Sequence, residues 1–89
     1  MPGKRKISDA RVRVAVREVL KLQEGDPLAE KPLLAAVNEL VGNGVDLTQL
    51  REAIEWNHCE AFVASEFVAE LDLDGWIITK KGINHDRIK

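Results

Sequence analysis

Thiol and imidazole adjoin at His58-Cys59, so this pair is where nucleophilic chemistry would first be sought. Neighbouring residues on a helix do not face one another, and the two side chains diverge instead of sharing a proton. A catalytic pair also needs a third group to orient the base and a pocket to hold the substrate, and 89 residues rarely enclose one. Cys59 therefore reads as a small, buried or half-buried apolar residue. Zinc would have to be held by His58, Cys59 and His85, which lack a second thiolate and the usual ligand spacing. Glu52, Glu55, Glu60, Glu66 and Glu70 are spread as solvated helix faces spread them, and no two stand out as an acid and base. Gly42-Asn43-Gly44 invites a phosphate-loop reading, but the glycine spacing fits no nucleotide fingerprint and no Lys-Ser/Thr follows. No catalytic residue, metal centre, cofactor or small-molecule substrate is expected, and the chain is not expected to be an enzyme.

Cations remain, and they are segregated. Residues 1–21 carry a net charge of +5, residues 22–79 of −10 and residues 80–89 of +3, within a total of −2. Basic ends around an acidic middle fit a patch for nucleic acid. They equally fit self-complementation, with a basic first helix lying beside acidic neighbours. Composition bounds the rest. At 45% apolar and 31% charged, the chain can fill one core and is not low-complexity. A single cysteine excludes an internal disulfide framework. The start Met1-Pro2-Gly3-Lys4-Arg5-Lys6 lacks the apolar run of a signal peptide, and the longest such run, Leu33 to Val37, is far short of a membrane span. One cytoplasmic domain over residues 1–89 is expected, with no membrane contact and with 1–7 and 84–89 as flexible basic ends.

The elements that must position these residues follow from periodicity and caps. Ser8 suits an N-cap. From there Val12, Ala15, Val16, Val19, Leu20 and Leu22 make one helical face, flanked by the stripe Arg13, Arg17, Lys21. Arg11 to Arg17 also alternates as a strand would, but the helical period persists to Leu22, and Glu24-Gly25-Asp26-Pro27 ends it. Pro32 suits the first turn of a second helix, with the stripe Leu33, Leu34, Val37, Leu40, Val41 and a stop at Gly42-Asn43-Gly44. Asp46 with Gln49 forms a capping box, and Val45 can staple onto Leu50, starting a third helix that frays near Asn57-His58. A fourth helix is expected from about Glu60 to Leu71, with Val63, Ala64, Phe67, Val68 and Leu71 inward. Asp74-Gly75 then turns into the β-prone run Trp76-Ile77-Ile78-Thr79, and Lys80-Lys81-Gly82 turns again into Ile83. Val16, Leu20, Leu34, Val37, Leu50, Ile54, Phe67 and Leu71 are the expected core. Trp56 points away from Leu47, Leu50 and Ile54, either under the first helix or exposed near Phe62. Trp76 should pack the hairpin on the core.

The stretch Glu66-Phe67-Val68-Ala69-Glu70-Leu71-Asp72-Leu73-Asp74-Gly75-Trp76-Ile77-Ile78-Thr79-Lys80-Lys81-Gly82-Ile83 resembles the winged-helix family. There, a helix ends in Leu-x-x-x-Gly-aromatic/aliphatic-Ile and a hairpin wing follows, often with Thr-x-Lys-Gly. The resemblance spans roughly residues 46–83. It implies a mostly α fold of about four helices with a small C-terminal β-hairpin. It also makes the third helix the support and the fourth the recognition helix, and sets Lys80 and Lys81 in the wing. The family usually binds DNA with the recognition helix in the major groove and the wing on phosphates. The resemblance thus implies a DNA-associated regulator. The cations available to it, Arg13, Arg17, Lys21, Lys80 and Lys81, would contact phosphates with weak sequence discrimination. The expected recognition helix nevertheless carries Glu60, Glu66 and Glu70 and no Lys or Arg, a face better suited to a protein. The alternative is therefore an adaptor that binds a protein partner or a second copy through Trp56, Phe62, Glu66 and Ala69.

Overall fold

The computed structural model describes residues 7–87. Its elements run α1 (Asp9–Leu22), α2 (Glu30–Val41), α3 (Leu47–Cys59), β1 (Val63–Val68), β2 (Leu73–Ile78) and α4 (Lys80–Arg87). The layout is mostly helical and winged-helix-like, with one antiparallel hairpin in its C-terminal part. Ile7, assigned from sequence to the N-terminal end, is buried in the core, and residues 84–87 continue α4. The rest of the two basic ends, residues 1–6 and 88–89, lies outside the described residues.

Side-chain caps set the starts of α1 and α3, whereas α2 begins at Glu30 after Ala29, without a side-chain cap. The Ser8 side chain accepts from the Arg11 N–H at 3.1 Å, and α1 is helical throughout, so the strand alternative for residues 11–17 falls. Gly42 ends α2 in the left-handed conformation at φ 87°, donating to the Asn38 carbonyl at 2.9 Å. Asn38 also clamps the next turn, accepting from the Val45 N–H at 2.8 Å and donating to its carbonyl at 3.0 Å. Asp46 caps α3 by accepting from the Gln49 N–H at 2.8 Å. The reciprocal half of the expected capping box does not form. Gln49 instead donates to the Ile7 carbonyl at 2.7 Å and to Asp9 at 3.0 Å, tying the start of the chain to α3.

Residues 60–71 are not a helix. Val63–Val68 pairs with Leu73–Ile78 in the register Val63↔Ile78 to Val68↔Leu73, with Ala69–Asp72 as the loop. The spacing of Val63, Ala64, Phe67 and Val68 fits a helical face, but over six residues such a pattern arises in a strand as readily. What decides is β-branched and aromatic content, together with a partner: β2 pairs along its length with residues 63–68, while Trp76 turns its own backbone groups to Leu28. Asp74-Gly75 lies inside β2, not at a turn. Gly75 serves packing: a Cβ there would sit 3.0 Å from Pro27 Cβ and 3.1 Å from Val68 Cγ2. Lys80-Lys81-Gly82 is likewise no wing turn. The Thr79 hydroxyl accepts from the Gly82 N–H at 3.0 Å and donates towards the Phe62 and Ala61 carbonyls, capping α4. A side chain at Gly82 would run into the Phe62 carbonyl.

The core lies among α1, α2, α3 and the inner half of the hairpin. Val12, Val16, Leu20, Leu33, Val37, Leu50, Ile54, Val63 and Ile78 are buried, and Leu34 and Trp76 pack partly buried against them. Phe67 and Leu71, expected inside, are 59% and 56% exposed, because the hairpin carries them beyond the helices. The loop before α2 is stitched to β2 by a reciprocal pair, Leu28 N–H to Trp76 carbonyl at 3.0 Å and Trp76 N–H to Leu28 carbonyl at 2.8 Å.

Candidate interaction surfaces

Residues assigned from sequence to two different partners meet in one cluster. Arg13 and Arg17 lie four apart on α1, so both reach across to α3. The Arg13 guanidinium stands 4.8 Å from the centre of the Trp56 ring. Arg17 stands 5.4 Å from the Phe62 ring, and the Lys81 ammonium of α4 lies 5.5 Å from that same ring. His85 stacks on Phe62 at 4.3 Å, and Trp56 lies 6.0 Å from it. Two cations of the basic stripe, Arg13 and Arg17, thus stand over aromatic faces.

Beneath the cluster is a residue that the sequence reading passed over. Asn57 is fully buried. Its Oδ1 accepts from Arg17 Nη1 at 2.9 Å, and its Nδ2 donates to the Ala53 carbonyl at 2.9 Å and the Arg13 carbonyl at 3.2 Å. Every hydrogen-bonding atom of the amide is used. A signal was available: Asn57 falls seven residues after Leu50, in phase with the buried stripe Leu50, Ala53, Ile54. Arg17 is only 4% exposed, so it cannot reach a phosphate without leaving this site. Of the other expected phosphate contacts, Arg13 and Lys21 are half-buried, and Lys80 and Lys81 are exposed in the first turn of α4.

The second surface is the outer half of the hairpin. Ser65, Glu66, Phe67, Ala69, Glu70, Leu71, Asp72, Leu73 and Asp74 are all exposed. Phe67, Leu71 and Leu73 therefore form apolar points among carboxylates. From residue 52 to 79 the chain has seven acids and no Lys or Arg. The expected partner set is divided by this geometry. Glu66 and Ala69 belong to the hairpin, whereas Phe62 is buried rather than outward and Trp56 is half-buried against Arg13.

Cys59 is exposed, contrary to expectation, because α3 ends there and the chain turns away. Its thiol lies 3.7 Å from Glu55, while His58 packs edge-on against Trp76 at 5.5 Å, so thiol and imidazole diverge as helix geometry requires. Among the described residues no three His, Cys, Asp or Glu side chains gather to hold a metal ion, and no helix is long and apolar enough to cross a membrane. Among the described residues, titration is displaced at Glu30 and Arg51, which are joined at two points, 2.7 and 3.0 Å, between α2 and α3. The Arg51 hydrogen bonds hold the Glu30 carboxyl below its usual range, and Glu30 in turn raises Arg51. A shallow apolar groove of about 330 Å³ lies between α1 and α2, lined by Val19, Leu22, Ala36 and Leu40.

No protein family, curated protein or solved structure matches this chain.

Proposed function

We propose that this chain is a winged-helix-like protein-binding module, working in the cytoplasm, whose hairpin engages a partner of basic character. The observation that carries this reading is the hairpin itself, which sets Phe67, Leu71 and Leu73 in solvent among Glu66, Glu70, Asp72 and Asp74. Apolar points rimmed by one sign of charge make a surface that a protein of opposite charge can cover, with apolar contact supplying affinity and carboxylates supplying selection. The same carboxylates repel phosphates at close range. A free, exposed thiol at Cys59 with no disulfide partner suits a reducing compartment.

Panning a random peptide library against the protein tests this reading. Enriched sequences should be rich in Lys and Arg with apolar residues between them. Enrichment should vanish for a Phe67→Ser, Leu71→Ser, Leu73→Ser variant. Enrichment that survives those substitutions would remove the hairpin from the binding surface.

DNA binding remains a second reading, favoured by exposed Lys80 and Lys81 at the start of α4 and by half-buried Arg13 and Lys21 on α1, with buried Arg17 left out of the contact set. Gel-shift titration with duplex DNA at about 50 mM salt separates the two, since non-specific phosphate binding is strongest at low salt. A complex at micromolar protein would favour the regulator over the adaptor.

A further inference from the structure

Both edges of the hairpin can be read from one pair of hydrogen bonds. In an antiparallel ladder the N–H and C=O of a given residue point to the same side. Trp76 directs both groups to Leu28, away from β1. Its opposite residue, Ser65, must then direct both of its groups away from β2, and so must Phe67 two positions on. Neither residue has any other backbone partner, and both are exposed. At Trp76 the inner edge of the sheet is occupied by Leu28. The outer edge at Ser65 and Phe67 is open: β1 contains no lysine, proline or bulge, and its one charged side chain is Glu66.

Resting on the reading of the hairpin as a protein-binding surface, we infer that this edge accepts an extended basic peptide as a third strand. The groups of Ser65 and Phe67 bond alternate residues of the incoming strand, as in strand-addition modules. Side chains fix what that strand must be. Phe67 points to the face it shares with Ser65 and Trp76, and Glu66 to the opposite face with Gly75. An incoming antiparallel strand therefore places an apolar residue opposite Phe67 and a Lys or Arg opposite Glu66, with Glu70 and Asp74 near enough to add to the field. A second copy is a poor occupant. Pairing β1 with itself about Glu66 sets that carboxylate opposite its own copy, and any other register still joins two acidic hairpins.

The probe is a labelled seven-residue peptide alternating valine and lysine, with capped ends, titrated by fluorescence anisotropy. Two controls accompany it: the same peptide with glutamate for lysine, and the same peptide N-methylated at alternate residues, which keeps charge and side chains but removes the donors. The inference expects binding by the unmethylated lysine peptide, weakened about tenfold or more in either control. The Ser65→Pro variant should lose binding to the same extent. Its circular dichroism should be unchanged, because the Ser65 N–H is not part of the β1–β2 ladder and an edge strand tolerates proline there. Glu66→Lys should shift preference towards the glutamate peptide. Equal binding of methylated and unmethylated peptides would overturn strand addition while leaving the hairpin as a side-chain docking surface. No binding of the lysine peptide at about 1 mM would also overturn it, with the panning result deciding the wider reading separately. Concentration-dependent self-association abolished by Ser65→Pro would give the edge to a second copy and overturn the basic partner.

Discussion

Asn57 shows how one polar side chain organises its neighbourhood. A buried amide costs free energy unless each of its groups is bonded, and here α1 supplies a guanidinium and a carbonyl while α3 supplies another carbonyl. Asn57→Ala removes an acceptor from a guanidinium that is itself buried, so destabilisation of about 1–3 kcal/mol is expected from urea titration. Asn57→Asp should cost less, since a carboxylate still accepts from Arg17, although it can no longer donate to Ala53 and Arg13. At the surface, Glu30 and Arg51 behave differently. The folded-state carboxyl of Glu30 is lowered, so its contribution is present above the ordinary glutamate pKa and is lost as pH falls through that value towards the lowered one. Glu30→Gln should therefore lower stability slightly near neutrality, where the ion pair is intact, and flatten the profile in that acidic window, so that variant and parent converge at lower pH. The effect should be small and should shrink with added salt, because the pair is solvent-exposed. Thermal midpoints measured across the acidic range, with and without salt, would show it.

At the scale of elements, the sequence was legible wherever a cap or a stop made one structure cheaper than the rest. Ser8, Gly42 and Asp46 each satisfy backbone groups through a local bond, and the three helices they bound were read correctly. The stretch from Glu60 to Leu71 was misread because its apolar spacing fits both periods and its partner strand is remote information. The sequence placed Phe67 and Leu71 inside on that helical phase, and the hairpin turns both into solvent. Thr79-Lys80-Lys81-Gly82 was misread for a related reason, since the cap depends on the Phe62 carbonyl, seventeen residues before Thr79. Of the candidate surface residues, Glu66 and Ala69 were placed on an exposed acidic face correctly, but on the wrong element. Two substitutions test this arrangement. Gly82→Ala drives a methyl group towards backbone that cannot rotate away, and should destabilise by about 1–3 kcal/mol. Phe67→Ser should stay within about 0.5 kcal/mol of the parent, whereas Leu50→Ala in the core should cost about 2–5 kcal/mol. A Phe67→Ser penalty as large as that of Leu50→Ala would return Phe67 to the core.

Across the whole molecule, burial and charge divide in the same place. The fully buried side chains Val12, Val16, Leu20, Leu33, Val37 and Leu50 belong to the three helices, joined by Val63 at the base of the hairpin. Beyond Ser65 and Trp76 the ladder is held by its own backbone bonds and half-buried Val68, in a region whose charges are all negative. Such a segment opens without the rest of the fold, because few apolar contacts and many exposed hydrogen bonds set a low local free energy. Native-state hydrogen exchange should therefore show a gradient. Amides of Val16, Leu20 and Ile54 should exchange only through global unfolding, and their apparent free energies should fall in step with added urea. Amides of Glu66 and Val68, which bond across to Gly75 and Leu73, should exchange through a local opening that urea barely affects. Saturation with a basic extended peptide should then raise protection at the hairpin first and furthest, including the Ser65 and Phe67 amides that are otherwise open to water, since a ligand stabilises in proportion to what it holds closed. Uniform protection from α1 to β2 in the free protein would mean that the hairpin unfolds only with the core, and that its outer half is no separate unit.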